Sequence, residues 1–273
     1  MLRKALLTIA ALVPLSVSVF AQGSTITPGN LPKAEVDKII AKFTANEGAF
    51  REALTNYVFN RYATLSTIGL GGQVTGVYRR DSFMTFTSDG KRIERILFAP
   101  VPTVPAGMVT AEDLDDLGGV NPFAIEPRNV SQYNFLYLGK EKIDELNLHV
   151  FEVSPKVIPD PKTKIRLFTG RVWVDDEDLM IVKSKGKAVP ETKINKFPVV
   201  ETWREHVDGK YWFPSIALAN DQLVFDNGSV LHIKMNVKYT EYKMGRTDII
   251  IGEESDLPDE KPEPTPSPLP KKP

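Results

Sequence analysis

Residues 230–242, VLHIKMNVKYTEY, alternate without a break: Leu231, Ile233, Met235, Val237 and Tyr239 fall on one side, His232, Lys234, Asn236, Lys238 and Thr240 on the other. A period of two is that of a β-strand, and one apolar face beside one wet face suits antiparallel pairing. Similar runs predict strands over 57–68, 74–87, 91–98, 132–142, 147–154, 164–174, 179–187, 199–207, 210–218 and 229–242. Asp89-Gly90, Asp208-Gly209 and Asn227-Gly228 each separate two such runs. These dipeptides accept positive φ in tight hairpins, so neighbouring runs are expected to form a meander. GLGGQ at 69–73 reads as a further hairpin loop, because no helix follows it.

One earlier segment keeps a different rhythm. Val36, Ile39, Ile40, Phe43, Phe50, Ala53, Leu54 and Tyr57 recur at three and four, which predicts an amphipathic helix over 33–57 with Pro32 at its start. Asn46 is expected to cap a second turn of it. Between the third and fourth strands lies a long insertion, 99–131, rich in proline, with a short helix expected from Thr110. Acids at Glu112, Asp113, Asp115 and Asp116 suit the positive end of that helix's dipole. A connection of this length acts as a lid or binding loop when it is ordered. The chain is therefore expected to be α+β and mainly β. A sheet of about ten antiparallel strands must curl, and its buried face must meet the helix stripe. The space between them is a packed core or an apolar cavity, and periodicity fits both.

Composition adds compartment. MLRKALLTIAALVPLSVSVFA, residues 1–21, has a basic start, an apolar stretch and small residues before Gln22, the layout of a cleaved secretory signal peptide. The mature protein is expected in the periplasm. Residues 22–252 are expected to form one domain, and 253–273, with seven prolines, a disordered extended tail. The chain has no cysteine, so neither disulfides nor a thiolate metal site is available. With 34 basic against 35 acidic residues it lacks the electrostatic footprint of a nucleic-acid binder.

Candidate chemistry is sparse. Asp175, Asp176, Glu177 and Asp178 are consecutive acids between two apolar runs. A calcium loop needs ligands at alternate positions and a glycine at its bend, so a hairpin tip is the better account than a metal site. His149, His206 and His232 lack the close spacing of a zinc site and are expected to be solvated. No nucleophile elbow, phosphate loop or dinucleotide fingerprint occurs. No cofactor, metal or catalytic residue is expected. Phe135, Tyr137, Trp173, Trp203, Trp212 and Phe213 lie in strand runs and either fill the core or line an apolar pocket.

The phrases YNFLYLGKEK, FTGRVWVDDEDLMIVKSKGK, FPVVETWREHVDGKYWFP and VKYTEYK, together with the export signal and leading helix, resemble the LolA-like superfamily of periplasmic lipoprotein-sorting carriers. The resemblance implies an incomplete β-barrel wrapped over the helix and the lid-like insertion, with a cavity for lipoprotein acyl chains or lipid. It implies a membrane-anchored donor or receptor protein as partner. Phe135, Tyr137, Trp173, Trp203, Leu231, Ile233, Met235 and Val237 are the candidate cavity residues, and Arg61 the candidate arginine that holds the lid. The same scaffold serves envelope sensors that bind a protein partner, which leaves a sensor or scaffold as the alternative to a carrier. A hydrolase would need acids or a histidine gathered from distant strands.

Overall fold

A computed structural model describes residues 25–86, 92–105, 125–163, 165–193 and 195–245. Thr27–Pro28 forms strand β1 and Lys33–Leu54 the helix α1. Ten strands follow: β2 Tyr57–Ile68, β3 Val74–Phe86, β4 Arg92–Phe98, β5 Tyr133–Ile143, β6 Leu146–Pro155, β7 Leu167–Asp175, β8 Ile181–Val189, β9 Val200–Val207, β10 Tyr211–Val224 and β11 Val230–Met244. All eleven belong to one antiparallel sheet in the order β1-β5-β6-β7-β8-β9-β10-β11-β2-β3-β4. The fold of the described residues is mainly β, a large curved open sheet with one α-helix, and the mainly β class is as expected. No helix among the described residues is long and apolar enough to cross a membrane.

The order explains the insertion. Strands β5 to β11 run as a meander, and β2 to β4 continue it from the far side, beyond β11. The chain leaving β4 at one edge must therefore reach β5 near the other. Both described ends of the insertion are docked. Thr103 donates its N–H to the Val77 carbonyl at 2.9 Å and accepts from the Val77 N–H, also at 2.9 Å. Gly76 makes this approach feasible, since a Cβ there would stand 2.8 Å from the Thr103 oxygen. At the other end Ile125 is buried with Ile39 and Phe43, and Glu126 binds Arg51 of α1 and Arg128. The helix expected from Thr110, the Asp89-Gly90 turn, the signal segment and the tail lie outside the described residues.

Helix α1 packs along the inner face of the sheet. Its first half places Ile39 and Phe43 against Phe151, Val153, Phe168, Val172 and Val174. Its second half places Phe50 and Leu54 in a cluster with Phe59, Phe213, Val237 and Tyr239. Ring centroids are 5.6 Å apart for Phe43 and Phe151 and 5.5 Å for Phe50 and Phe213, so this space is filled by side chains. Around α1 the choice between packed core and cavity resolves to packed core.

Several expectations change. The helix ends at Leu54, because Tyr57 already opens β2 with its ring buried against Phe213 at 4.7 Å. Its hydroxyl donates to Asp208 at 2.7 Å, and burial with that carboxylate pushes its pKa up to about 12. Asn46 caps nothing; α1 runs unbroken through it. Strand β1 is too short to show a period and pairs with β5 only at Lys140 and Gly139. The Asp208-Gly209 hairpin has φ of 52° and 64°, as a type I′ turn requires, whereas at Asn227-Gly228 only the glycine is positive.

Candidate functional site

The four consecutive acids turn the chain, and their side chains hold that turn to the rest of the molecule. The Asp175 Oδ2 accepts from the N–H groups of Glu177 and Asp178 at 3.3 and 3.2 Å, and the Asp178 Oδ1 from the N–H of Met180 at 2.9 Å. Leu179 takes φ of 54° to complete the reversal. Outward ties follow: Lys140 donates to Asp176 at 2.7 Å, and the Trp212 indole N–H to the Asp178 Oδ2 at 2.8 Å. From α1, the Asn46 amide donates to the carbonyls of Asp178 and Leu179. Asp175 is buried, unlike an ordinary hairpin tip, and burial pushes its carboxyl pKa up. Among the described residues no group of three or more His, Asp or Glu is placed to hold a metal ion.

Nor do the histidines gather. His149 departs from the expected solvated state: it is buried, 3.2 Å from the Tyr137 hydroxyl, and burial lowers its pKa. His206 stacks on Trp212 at 5.0 Å, and His232 meets Asn220 at 2.7 Å.

The eight candidate cavity residues fall in three places. Phe135 and Tyr137 pack on the inner face beside Phe43 and Phe151. Phe135 and Tyr137 are partly buried, whereas Ile233, Met235 and Val237 are buried, Met235 and Val237 in the second inner cluster, and Leu231 at the end of the row is half-buried. Register places alanines beside two of them: Val237 stands between Ala217 and Ala63, and Met235 has Ala219 on one side and the larger Leu65 on the other.

Trp173 and Trp203 lie on the other face. Trp173 alternates with Val172 and Val174, which pack with α1, and it joins Leu148, Val150 and Val182 in an outer cluster. Its Cα partner is Lys183, whose partner on β9 is Trp203. The Lys183 ammonium sits between the two indoles, 4.8 Å from Trp173 and 4.1 Å from Trp203. The indole N–H of Trp173 donates to Glu141 at 2.6 Å, and that of Trp203 to Glu201 at 2.9 Å. Glu201 also lies 3.3 Å from Lys183 and 3.2 Å from Lys185. Burial raises the Glu201 carboxyl, but these donors outweigh it and hold the group below its ordinary value.

Arg61 is 2% exposed and donates to Glu94 on β4 at 2.6 Å. Arg80 binds the same carboxylate through two nitrogens at 2.9 and 2.6 Å. Burial pushes Glu94 up, yet Arg80, Ser82 and Arg61 together hold it low. The described role of Arg61 is thus to join β2 to β4; the central part of the insertion that it was expected to hold lies outside the described residues.

No family model matches the chain, and no curated protein matches it. Among solved structures it is similar to a DUF1329 family protein from Desulfovibrio piger, at 14% identity and a TM-score of 0.41, over 81% of this chain and 98% of that one. It is also similar to a LolA superfamily protein from Nitrosomonas europaea, at 13% identity and a TM-score of 0.34, over 76% and 94%. Likeness this distant bears on neither ligand nor activity.

Proposed function

We propose that this chain is an exported carrier without chemistry of its own, holding lipid or the acyl chains of a lipoprotein on the inner face of its curved sheet. The observation that supports it best is the register across β10, β11 and β2, where Ala217, Ala63 and Ala219 flank the bulky row of Val237 and Met235. With α1 in place the row is packed against Phe50 and Leu54; were α1 to move off, the alanines beside the row would leave a groove along which a chain could lie. Phe50 and Leu54 share that cluster, so an acyl chain would compete with two apolar side chains of the helix. Burying each methylene is worth about 0.8 kcal/mol, which a long acyl chain would set against the loss of those contacts and of the buried Glu47–Arg204 pair that ties α1 to β9. Handover to a membrane or a membrane-anchored receptor would drive release.

Native mass spectrometry of residues 22–273 purified from a periplasmic extract tests this reading. Copurified phospholipid or acylated peptide is the expected result. Replacing Met235 by a larger apolar residue should then lower lipid retention more than melting temperature, and equal loss of both would mark it as core. Empty protein that also takes up no fluorescent fatty acid would sink the carrier reading.

The alternative, a module that binds a protein partner, draws on one observation. Strand β4 ends the sheet and exposes Ile93, Ile96, Leu97 and Phe98. An apolar edge strand is a template for an added strand. Site-specific crosslinking from Leu97 in cells would trap that partner.

A further inference from the structure

Neighbouring strands of the sheet run in opposite directions, so their connections gather at two ends. One end is polar, with Asp144-Glu145, the acids from Asp175 to Asp178 and Asp208-Gly209-Lys210 in its turns. The other end carries residues 156–166, 190–199, 225–229 and 69–73. Four contacts join these connections into one rim. The Arg166 guanidinium stands 5.6 Å over the Phe197 ring, and Lys196 reaches Asp226 at 3.0 Å. The Val199 N–H donates to Asp221 at 2.8 Å, and His232, just past the 225–229 turn, pairs with Ile68.

This rim exposes apolar side chains that the sheet does not bury. Val157 and Ile158 are 77% and 62% exposed, Ile165, Val224 and Val230 more than half, and Leu70 fully. Such side chains scattered singly are ordinary on a surface, but a joined set at one end, with a polar end opposite, is a patch. Between them stand Lys156, Lys162 and Lys193, exposed and without an ion pair among the described residues. The nearby acids are engaged: Asp160 accepts from the Lys162 N–H at 2.8 Å, Glu191 meets Lys187, and Asp226 meets Lys196. The rim thus offers aliphatic tips and positive charge together.

We propose that this rim docks on an anionic lipid bilayer, its aliphatic tips entering the headgroup layer and its lysines meeting the phosphates. Apolar burial together with attraction to anionic lipid is what holds a soluble element on a membrane surface. A protein interface is anchored by aromatic or arginine side chains in one well-packed patch, whereas the exposed residues here are Val, Ile and Leu on separate connections. The buried row of β11 ends at the same rim, at the half-buried Leu231, so a carrier docked this way would turn its row toward the bilayer. The docking itself does not rest on the carrier reading.

Flotation of residues 22–273 with vesicles tests it. The protein should float with vesicles of phosphatidylcholine and phosphatidylglycerol in equal parts, not with phosphatidylcholine alone, and raised salt should release it. Combining Lys156→Gln, Lys162→Gln and Lys193→Gln should weaken binding on the order of a hundredfold, about fivefold for each lysine. Leu70→Ser with Ile158→Ser should weaken it at least about tenfold, and Met244→Ser, at the opposite end, should not. None of these should change the melting temperature, since every residue replaced is exposed. The chain has no cysteine, so a dye on Leu70→Cys or Ile158→Cys reports its own site. Its emission should shift to the blue on anionic vesicles, and that of a dye on Lys210→Cys should not. Failure to float, as a rim built for an acidic protein would give, overturns the proposal. So does flotation that neither set of substitutions weakens, the result if lipid enters at the inner row alone.

Discussion

Arg204 lays two guanidinium nitrogens on the carboxylate of Glu47, at 2.6 and 3.0 Å, and the side chains are 6% and 3% exposed. The pair joins the middle of α1 to β9, and the same guanidinium stands 4.6 Å over the ring of Phe50. Removing one partner of a buried ion pair leaves the other charged and unsolvated. Glu47→Ala should therefore cost about 3 to 5 kcal/mol in urea unfolding. Glu47→Leu combined with Arg204→Met should recover most of that loss, because no charge is then stranded. A double variant as unstable as the single one would show that the pair's geometry, not its desolvation, governs the site.

One residue before Glu47, Asn46 donates to the carbonyls of Asp178 at 3.0 Å and Leu179 at 2.9 Å. The two acceptors sit in the acidic turn, where Leu179 has positive φ. Asn46→Ala leaves both carbonyls without this donor and should destabilise by roughly 1 to 3 kcal/mol. Amide exchange should rise first at residues 176–180. Uniform loss of protection across the sheet would instead mean that α1 itself has loosened.

These two neighbours illustrate what a single sequence can hold. The alternation of β11 was legible because one face is buried and the other wet, and the stripe from Val36 to Leu54 because a helix with one buried face repeats at 3.6. Asn46 and Glu47 look like ordinary polar helix positions, since their partners lie on strands far along the chain. Trp173 shows the same limit on the sheet. Alternation alone sets it opposite Val172 and Val174, but which face meets α1 depends on strand order and curvature. For that reason Trp173 and Trp203 could be grouped with Phe135 and Ile233 by composition and yet stand across the sheet from them. The KSKGK alternation was present to read, and the register that sets Lys185 beside Arg171 was not.

His149 gives a pH dependence with a definite sign. It is 6% exposed, faces Tyr137, and burial followed by the Lys140 charge lowers its pKa, while Asp176 and Glu35 oppose. The unfolded chain then binds a proton that the folded chain resists. Below the unfolded value of about 6.5, stability should fall with decreasing pH until the folded pKa is passed, and above 6.5 this group contributes no slope. His149→Gln should flatten that limb of the urea midpoint against pH. An unchanged limb would assign the slope to carboxylates.

Lys183 is the lysine of β8 that is built into the outer face. Its ammonium touches two indoles and a carboxylate, and its side chain is only 12% exposed. A partly desolvated cation over aromatic rings is worth about 0.5 to 2 kcal/mol for each ring. Lys183→Met keeps the length and apolar contact of the side chain while deleting the charge, so it should cost about 1 to 3 kcal/mol and shift tryptophan emission. Raised salt should reduce that cost little, because the charge sits against rings and not in open water. Lys185→Met should leave emission unchanged and stability within about 0.5 kcal/mol, since its register partners are Arg171 on one side and Glu201 on the other and the two effects oppose. If both substitutions destabilise alike, the lysines act together as a fold element. A loss confined to Lys183→Met would assign the stabilisation to the cation between the two indoles.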